Sequence, residues 1–487
     1  MRRTALVVGL ILAWTSQAAA DEVHYENFRY GQRAMGAGGA MVAFPGEPEA
    51  SWYNPAALAL MEGTLMSGAL QFFGTERHTL RGGLRADTVA TTDLESSDVL
   101  LLPSSSVIAK AFGDDQQHVV AFSTFLASER DETFSDTITT LLRDGDDWLE
   151  QRLVYTQQHT DRIVYLGPSW GWRPNNRLAL GVSVFYARRE QRELAFSSFT
   201  EQRSRRSTGE LIRTTFDDTS SATEIDDGAL LARLGMLTHL TERLTLGATV
   251  TTQSVPLHGE GRFDYIFTDS GDPADTSGLN PNNPEPFREV ITESGLAART
   301  TYPWNFALGL AYEVPSRWTV ATQVSLYLPS TYDRLDLSPR AEQVIASNLV
   351  NRIERQTVVN GALGAEWFIT PTLPLRVGVF TNRSAAPDIP AWPTELMLPQ
   401  VHLYGATTSL GFIGEDRSIN VGAEVQWGSG YDVALRDVRQ IWEPSFIRVE
   451  REQFRAVLFL AGAFDFAGKL AGDLVEDDEP ASDTPSP

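Results

Sequence analysis

Cysteine is absent from all 487 residues. That removes disulfides, zinc ribbons, iron–sulfur clusters and thiol catalysis. Basic residues are scarce: 40 Lys and Arg stand against 63 Asp and Glu, for a formal charge of −23. Such a balance leaves no basic footprint for a phosphate backbone, so nucleic acid is excluded as a partner. Beyond the N-terminus no apolar run reaches the ~18 residues that a membrane-spanning helix needs. The strands of a membrane barrel escape that test, because their alternation averages out in a hydropathy window. The seven histidines, at 24, 78, 118, 159, 239, 258 and 402, are scattered singly, without the spacing of a metal site.

Two motifs invite chemistry and are set aside. Gly167-Pro168-Ser169-Trp170-Gly171 matches a nucleophile elbow formally, but that motif needs a helix after it and here another strand follows. The acidic stretches Asp144–Asp147 and Asp269–Asp272 lack the twelve-residue spacing of a calcium loop and read as solvated turns. No catalytic residue, metal or cofactor is expected, and the chain is not read as an enzyme.

What is present begins with an address. Arg2 and Arg3 precede an apolar stretch from Ala5 to Trp14, and Ala18-Ala19-Ala20 supplies a small-residue cleavage site before Asp21. Residues 1–20 are therefore expected to be a secretory signal peptide. From about residue 64 to 466 a stretch of alternating hydrophobicity, a short polar turn, a second such stretch and a long polar loop recur. The turns are Gly113–Gln116, Pro174–Asn176, Thr241–Arg243, Pro315–Arg317, Pro371-Thr372 and Gly414–Arg417, rich in residues that adopt turn dihedrals. Six turns join twelve strands, and one more at each end makes fourteen.

The alternation has large apolar residues on one face and small or polar ones on the other. After Arg177, Leu178, Leu180, Val182, Val184 and Tyr186 interleave with Ala179, Gly181, Ser183, Phe185 and Ala187. Leu244–Thr251 and Trp318–Leu328 repeat the pattern. A soluble sandwich and a lipid-facing barrel share this period of two. Three features favour the barrel: short turns alternate strictly with long loops, the strand count is even, and aromatics such as Trp170, Trp172, Tyr312, Trp318 and Trp367 gather near strand ends. The long loops are expected at roughly 75–98, 129–149, 199–220, 267–290, 331–350, 383–399 and 431–446. Phe466 closes the last strand as an assembly signal, which implies the barrel-assembly machinery as a partner. Residues 467–487 carry one Lys and six acids and read as a disordered acidic tail on the periplasmic side.

Residues 21–63 do not alternate. They contain Arg33-Ala34-Met35-Gly36-Ala37-Gly38-Gly39-Ala40 and then Ser51-Trp52-Tyr53-Asn54-Pro55-Ala56. Here the sequence resembles the FadL/OmpP1/TodX family of outer-membrane transporters for long-chain fatty acids and aromatic hydrocarbons. The resemblance implies an all-β fold, a fourteen-stranded antiparallel transmembrane barrel (64–466) with an N-terminal hatch (21–63) inside its lumen. It implies a monomer in the outer membrane of a Gram-negative bacterium, in contact with lipid, that passively transports hydrophobic small molecules. Gly36, Gly38, Gly39, Asn54, Pro55 and Ala56 are then hatch-shaping residues, and Phe28, Tyr30, Arg33 and Met35 are ligand-contact candidates. Arg33 meets either a ligand carboxylate or an acid of the wall. The family's lateral exit depends on an inward kink in the third strand, yet Gln117–Ser128 holds neither Gly nor Pro to mark one. Breaks are expected instead at Gly167-Pro168, Pro256 and Pro303. The alternative reading is a structural or secretion-accessory barrel that docks protein partners.

Overall fold

A computed structural model describes residues 23–44, 46–86, 90–113, 115–270, 286–345, 349–436 and 445–465; of residues 72–73, 86, 90 and 98–103 only the backbone is described. The expected signal peptide, Phe466, the acidic tail, and Gly271 and Asp272 of the second acidic stretch lie outside them.

Strand pairing closes on itself. β1 (Thr64–Ala86), β2 (Ala90–Phe112), β3 (His118–Asp144), β4 (Asp147–Asn175), β5 (Leu178–Arg205) and β6 (Leu211–His239) are antiparallel neighbours in chain order. β6 pairs with β7 (Leu244–Thr251) near the short turns and with β8 (Val255–Asp269) further up. β9 (Phe287–Ala297) lies along β8, and β10 (Asn305–Val314) along β7. The circuit continues through β11 (Trp318–Tyr327), β14 (Val358–Thr370), β15 (Leu373–Asn382), β16 (Gln400–Ile413), β17 (Arg417–Leu435) and β18 (Phe446–Asp465). β18 returns to β1 in a register from Leu65↔Asp465 to Leu80↔Arg451. Fourteen courses result, because β8 and β9 extend the courses of β7 and β10 past breaks at 252–254 and 298–304. Those breaks fall beside Pro256 and Pro303, whereas β4 runs straight through Gly167-Pro168. Above β11, β12 (Ser330–Asp333) and β13 (Arg352–Arg355) pair with each other, separated by the short helix α3 (Pro339–Ile345).

The lower part of the wall has an apolar exterior. Val120, Phe122, Leu234, Leu308, Val324, Leu363, Val377, Val421 and Leu458 are exposed, while Ser183, Thr249, Gln323, Asn360, Thr407 and Asn420 are buried toward the lumen. An exposed belt of that extent is a lipid-facing surface. Aromatics edge it. Below, Trp318 lies opposite Trp367 in register and 5.5 Å from the Tyr312 ring; above, Tyr404, Trp427 and Phe454 stand side by side on adjacent strands. From Phe454 to Phe464 is ten residue steps, which at ~3.3 Å each and a tilt of about 40° is about 25 Å, the height of a barrel's apolar band.

The upper part departs from expectation. The stretches 75–98, 129–149 and 199–220 are long strand hairpins, and β3 to β6 each run 27 to 29 residues. Water bathes the outside of these extensions, so they need no apolar stripe and read as loop in sequence; their ladders persist. Exposed cross-strand pairs such as Arg188–Asp226 at 2.9 Å and Arg192–Glu224 at 3.2 Å replace the lipid-facing residues.

One seam of the wall opens. β2 and β3 pair only from Phe112↔His118 to Ser105↔Phe125. Above that, β2 pairs with β1 alone and β3 with β4 alone. A bulge lies at Ala127, where the β3–β4 register shifts between Leu126 and Ser128. The third strand therefore does bend, without Gly or Pro, because one extra residue is enough to turn a strand. Side chains bridge the two strands again higher up, where the Thr133 amide donates to Ser96 Oγ at 2.9 Å.

Candidate functional site in the barrel lumen

Residues 23–63 fill the lumen and are held there by polar side chains of the wall. The chain enters as an extended run, turns through α1 (Gln32–Gly36), and passes a tight loop in which Gly38 and Gly39 take positive φ of 64° and 82°. It continues through α2 (Ala50–Tyr53) into a 3-10 helix, Pro55–Leu60. Asn54 makes this last step. Its backbone is extended, its Oδ1 accepts from the Ala56 amide at 3.1 Å, and Pro55 occupies the first helical position where no donor is needed. Its Nδ2 spends both hydrogens, on Val42 O at 2.7 Å and Met236 O at 3.0 Å. One fully buried side chain thus caps the helix, ties the hatch to itself and ties it to β6.

Wall glycines receive the hatch backbone. A Cβ on Gly181 or Gly235 would overlap Pro55 and Asn54; on Gly364 or Gly378, Ala37 and Gly38; on Gly247, Val42. Polar contacts secure each approach. Thr407 Oγ1 donates to Gly36 O at 2.7 Å and accepts from the Gly38 amide at 3.0 Å. Gln323 Oε1 accepts from the Met41 and Val42 amides, both at 3.1 Å. Arg33 donates to Glu366 at 2.7 Å, and Arg376 donates to the other oxygen of that carboxylate at 2.5 Å. Arg29 pairs with Glu424 at 3.2 Å and lies over the Phe380 ring.

Two cavities flank the extended run 23–30. The upper one, about 180 Å³, is bounded by the hairpin extensions, with apolar Leu80, Leu94, Phe134, Leu398 and Val433 among its walls. Its charges are compensated. Glu193 accepts from Arg334 at 2.9 Å and faces His159 at 3.0 Å. Glu132 meets Arg130, Arg451 and His78, and Asp432 accepts from Arg451 at 2.7 Å. The lower cavity, about 130 Å³, lies between the hatch and the wall. Its lining is aromatic: Tyr25 stacks on Tyr327 with centroids 4.3 Å apart, and Trp52 meets Tyr30 at 5.0 Å and Tyr165 at 5.2 Å, both edge-on. Ala127 and Ser128 also line it, so the cavity borders the bulge where β3 leaves β2.

Two hatch carboxyls near this region are displaced from their usual range. Burial pushes Glu26, which accepts from the Tyr327 hydroxyl at 3.2 Å, upward. Burial, with Glu47 adding repulsion, pushes Glu49 up to about 7.

Of the four ligand-contact candidates, the structure brings Phe28 and Tyr30 to the lower cavity. Tyr30 is almost fully buried and its hydroxyl donates to Leu126 O at 2.7 Å. Arg33 lies in the ion pair with Glu366, and Met35 packs on Ala69, Phe459 and Ala461; neither lines the upper or the lower cavity. Arg233 and the tyrosines of the wall escaped the sequence reading. A signal for Arg233 was present: it occupies the inward phase of β6, where its neighbours Ala229, Leu231, Gly235 and Leu237 are apolar or small. Among the described residues no group of His, Asp and Glu is arranged to hold a metal.

No family model matches the sequence, and no curated protein matches it. Solved structures do. A FadL homologue from Pseudomonas aeruginosa superposes with a TM-score of 0.59 at 14% identity, covering 91% of this chain and 100% of that one. Two structures of the toluene transporter TodX from Pseudomonas putida give TM-scores of 0.51 and 0.50 at 13% and 12% identity, covering 90% and 91% of this chain and 99% of theirs. At such identity the likeness establishes a common fold.

Proposed function

We propose that this chain, which has the hatch-plugged fourteen-stranded fold of the FadL-type channels, is an outer-membrane channel that passively admits hydrophobic small molecules, long-chain fatty acids or compounds like them. The observation that carries the proposal is the pair of luminal cavities that both border the run 23–30, the lower one walled by aromatic rings. A mostly apolar recess with a few placed polar groups is the usual form of a small-molecule site. The cavities are ordered along the axis. A ligand leaves the outside water for the upper recess between the hairpins, passes the run 23–30, and settles among Tyr25, Tyr30, Trp52 and Tyr165. Transfer of apolar surface out of water is favourable at each step, so no energy source is required.

Exit runs sideways at the β2–β3 seam. Ala127 and Ser128 line the cavity at the point where the two strands part, and from there the bilayer is one wall thickness away. Displacement of the run 23–30, rather than ejection of the whole hatch, is the gating motion this layout favours, because residues 36–43 and 54–59 are locked against wall glycines.

The test uses purified barrel in proteoliposomes and a fluorescent fatty acid. Saturable uptake in the wild type is expected, lowered at least tenfold in Ala127→Trp, which fills the seam and the cavity edge beside it. Uptake unchanged in that variant sinks the lateral route. No saturable binding at all sinks the transport reading and favours a scaffold that docks proteins.

A further inference from the structure

We propose that the lower cavity selects a compact ring-bearing monoanion, an aromatic carboxylate, with Arg233 as the residue that recognises the charge. The inference rests on reading this cavity as a ligand site and narrows what enters it.

Arg233 differs from four other arginines that reach into the lumen, and from Arg455, whose terminal nitrogens are taken by Asn27 O and Gln71 Oε1. Arg29, Arg33, Arg376 and Arg451 each have a carboxylate within 4.0 Å. Arg233 has none among the described residues. Its Nε donates to Thr251 Oγ1 at 2.8 Å, and its guanidinium carbon lies 4.8 Å from the centre of the Trp52 ring. The side chain is therefore held at its Nε edge and against one face, and it lines the cavity. The nearest acid of the cavity, Glu26, is already bound by the Tyr327 hydroxyl. A guanidinium fork of this kind, held but unanswered, is matched in shape by a carboxylate, which it binds through two parallel hydrogen bonds.

The space fixes the rest of the ligand. An apolar cavity of about 150 Å³ holds one benzene ring, and sites for drug-sized molecules run from roughly 300 Å³ upward. At about 130 Å³ the lower cavity takes one ring as it stands, whereas a long acyl chain needs the run 23–30 displaced. Its walls are rings set for aromatic contact: the Tyr25–Tyr327 stack on one side, the edges of Trp52 and Tyr165 on another. Flat aromatics gain from stacked and edge-on arrangements beyond their buried area, whereas a flexible chain gains only burial. A neutral hydrocarbon would fill the same space but leave the guanidinium buried beneath it without a partner, which is unfavourable.

The experiment is equilibrium binding to the full chain in nanodiscs, read by tryptophan fluorescence, with three probes: 4-ethylbenzoate, ethylbenzene and decanoate. We expect 4-ethylbenzoate to bind at least tenfold tighter than either of the others. In Arg233→Leu that preference collapses, with the anion weakened tenfold or more; Arg233→Lys restores part of it. Thr251→Val, which frees Nε without removing the charge, weakens the anion several-fold and keeps the proposal testable should Arg233→Leu fail to assemble. Ethylbenzene or decanoate binding as tightly as the anion, with no response to Arg233, overturns the inference while leaving the cavity a ligand site. Failure of all three probes to bind overturns both.

Discussion

Residues 36–43 and 54–59 of the hatch lie directly against wall glycines, whereas residues 24–30 and Trp52 look across a cavity at tyrosines and Arg233. Both regions are buried in the same lumen, and both meet the same kind of wall, an alternating strand whose inward residues are set by the fold. The difference is the size of the inward side chain. Where the wall offers Gly181, Gly247, Gly364 or Gly378, backbone meets backbone and the hatch is fixed by main-chain hydrogen bonds to Thr407, Gln323 and Asn54. Where it offers Tyr165, Tyr302 and Tyr327, the rings hold the hatch off and leave a void. A plugged barrel thus obtains a rigid anchor and a ligand space from one segment by grading wall residues from none to large. Close packing makes the first region intolerant of added volume, and the second tolerant of it.

That contrast can be broken at the anchor. Gly378→Val would place side-chain carbon in the Ala37–Gly38 backbone, and we expect it to unseat the hatch at a cost above about 3 kcal/mol. Limited proteolysis of residues 23–63 in the folded barrel reads this out. Gly361→Val on the neighbouring strand β14, where a Cβ meets only Gln323 O at 3.8 Å, should change little. Equal susceptibility of the two variants would refute the anchor.

Glu49, between the two anchored segments, gives the hatch a pH dependence. Its carboxyl is pushed up to about 7, so the neutral form fits the buried site and the charged form does not. The hatch is then most stable below the unfolded carboxylate value of about 4.5, loses stability as pH rises toward 7, and is flat above. The full change is on the order of 3 kcal/mol. Protection of hatch amides against hydrogen exchange at pH 5 and pH 8 should show the loss, and Glu49→Gln should shrink the difference, leaving the share of Glu26, which burial also raises.

Asn54→Ala removes three hydrogen bonds at once and leaves Val42 O and Met236 O without that donor. We expect about 2 kcal/mol of local destabilisation, seen as faster exchange in residues 41–60 with the barrel strands unchanged. On the cavity side the effects invert. Tyr25→Leu gives up one stacked pair, worth about 1 kcal/mol or less to the fold, yet should change ligand affinity more than any anchor variant that remains seated. A larger stability loss at Tyr25 than at Asn54 would erase the distinction between anchor and cavity.

The lower barrel was legible because its signals are local. Turn residues at 113–116, 174–176, 241–243, 315–317, 371–372 and 414–417 and a period of two between them yield fourteen courses, and Leu180, Val184, Val320 and Val324 face outward as the alternation requires. The hatch motif was legible too, since Asn54-Pro55 sets a helix start within four residues. Above the aromatic edge the reading failed, because a strand wetted on its outer face carries no apolar stripe, and hairpins β3–β4 and β5–β6 passed for loops. The bulge at Ala127 gave no sign, since any residue can occupy it. Arg233 was visible only as an exception to its strand's inward phase.

Sequence alone determined the strand periodicity, the turn positions and the backbone path through Asn54 and Pro55, each a property of residues within one turn or one pleat. Tertiary structure alone decided which glycine receives which hatch residue, where the wall opens between β2 and β3, and that Arg233 faces the cavity with no carboxylate beside it among the described residues. Those outcomes depend on pairs far apart in the chain, such as Gly38 with Gly378 or Trp52 with Arg233, which only closure of the barrel brings to one depth in the lumen.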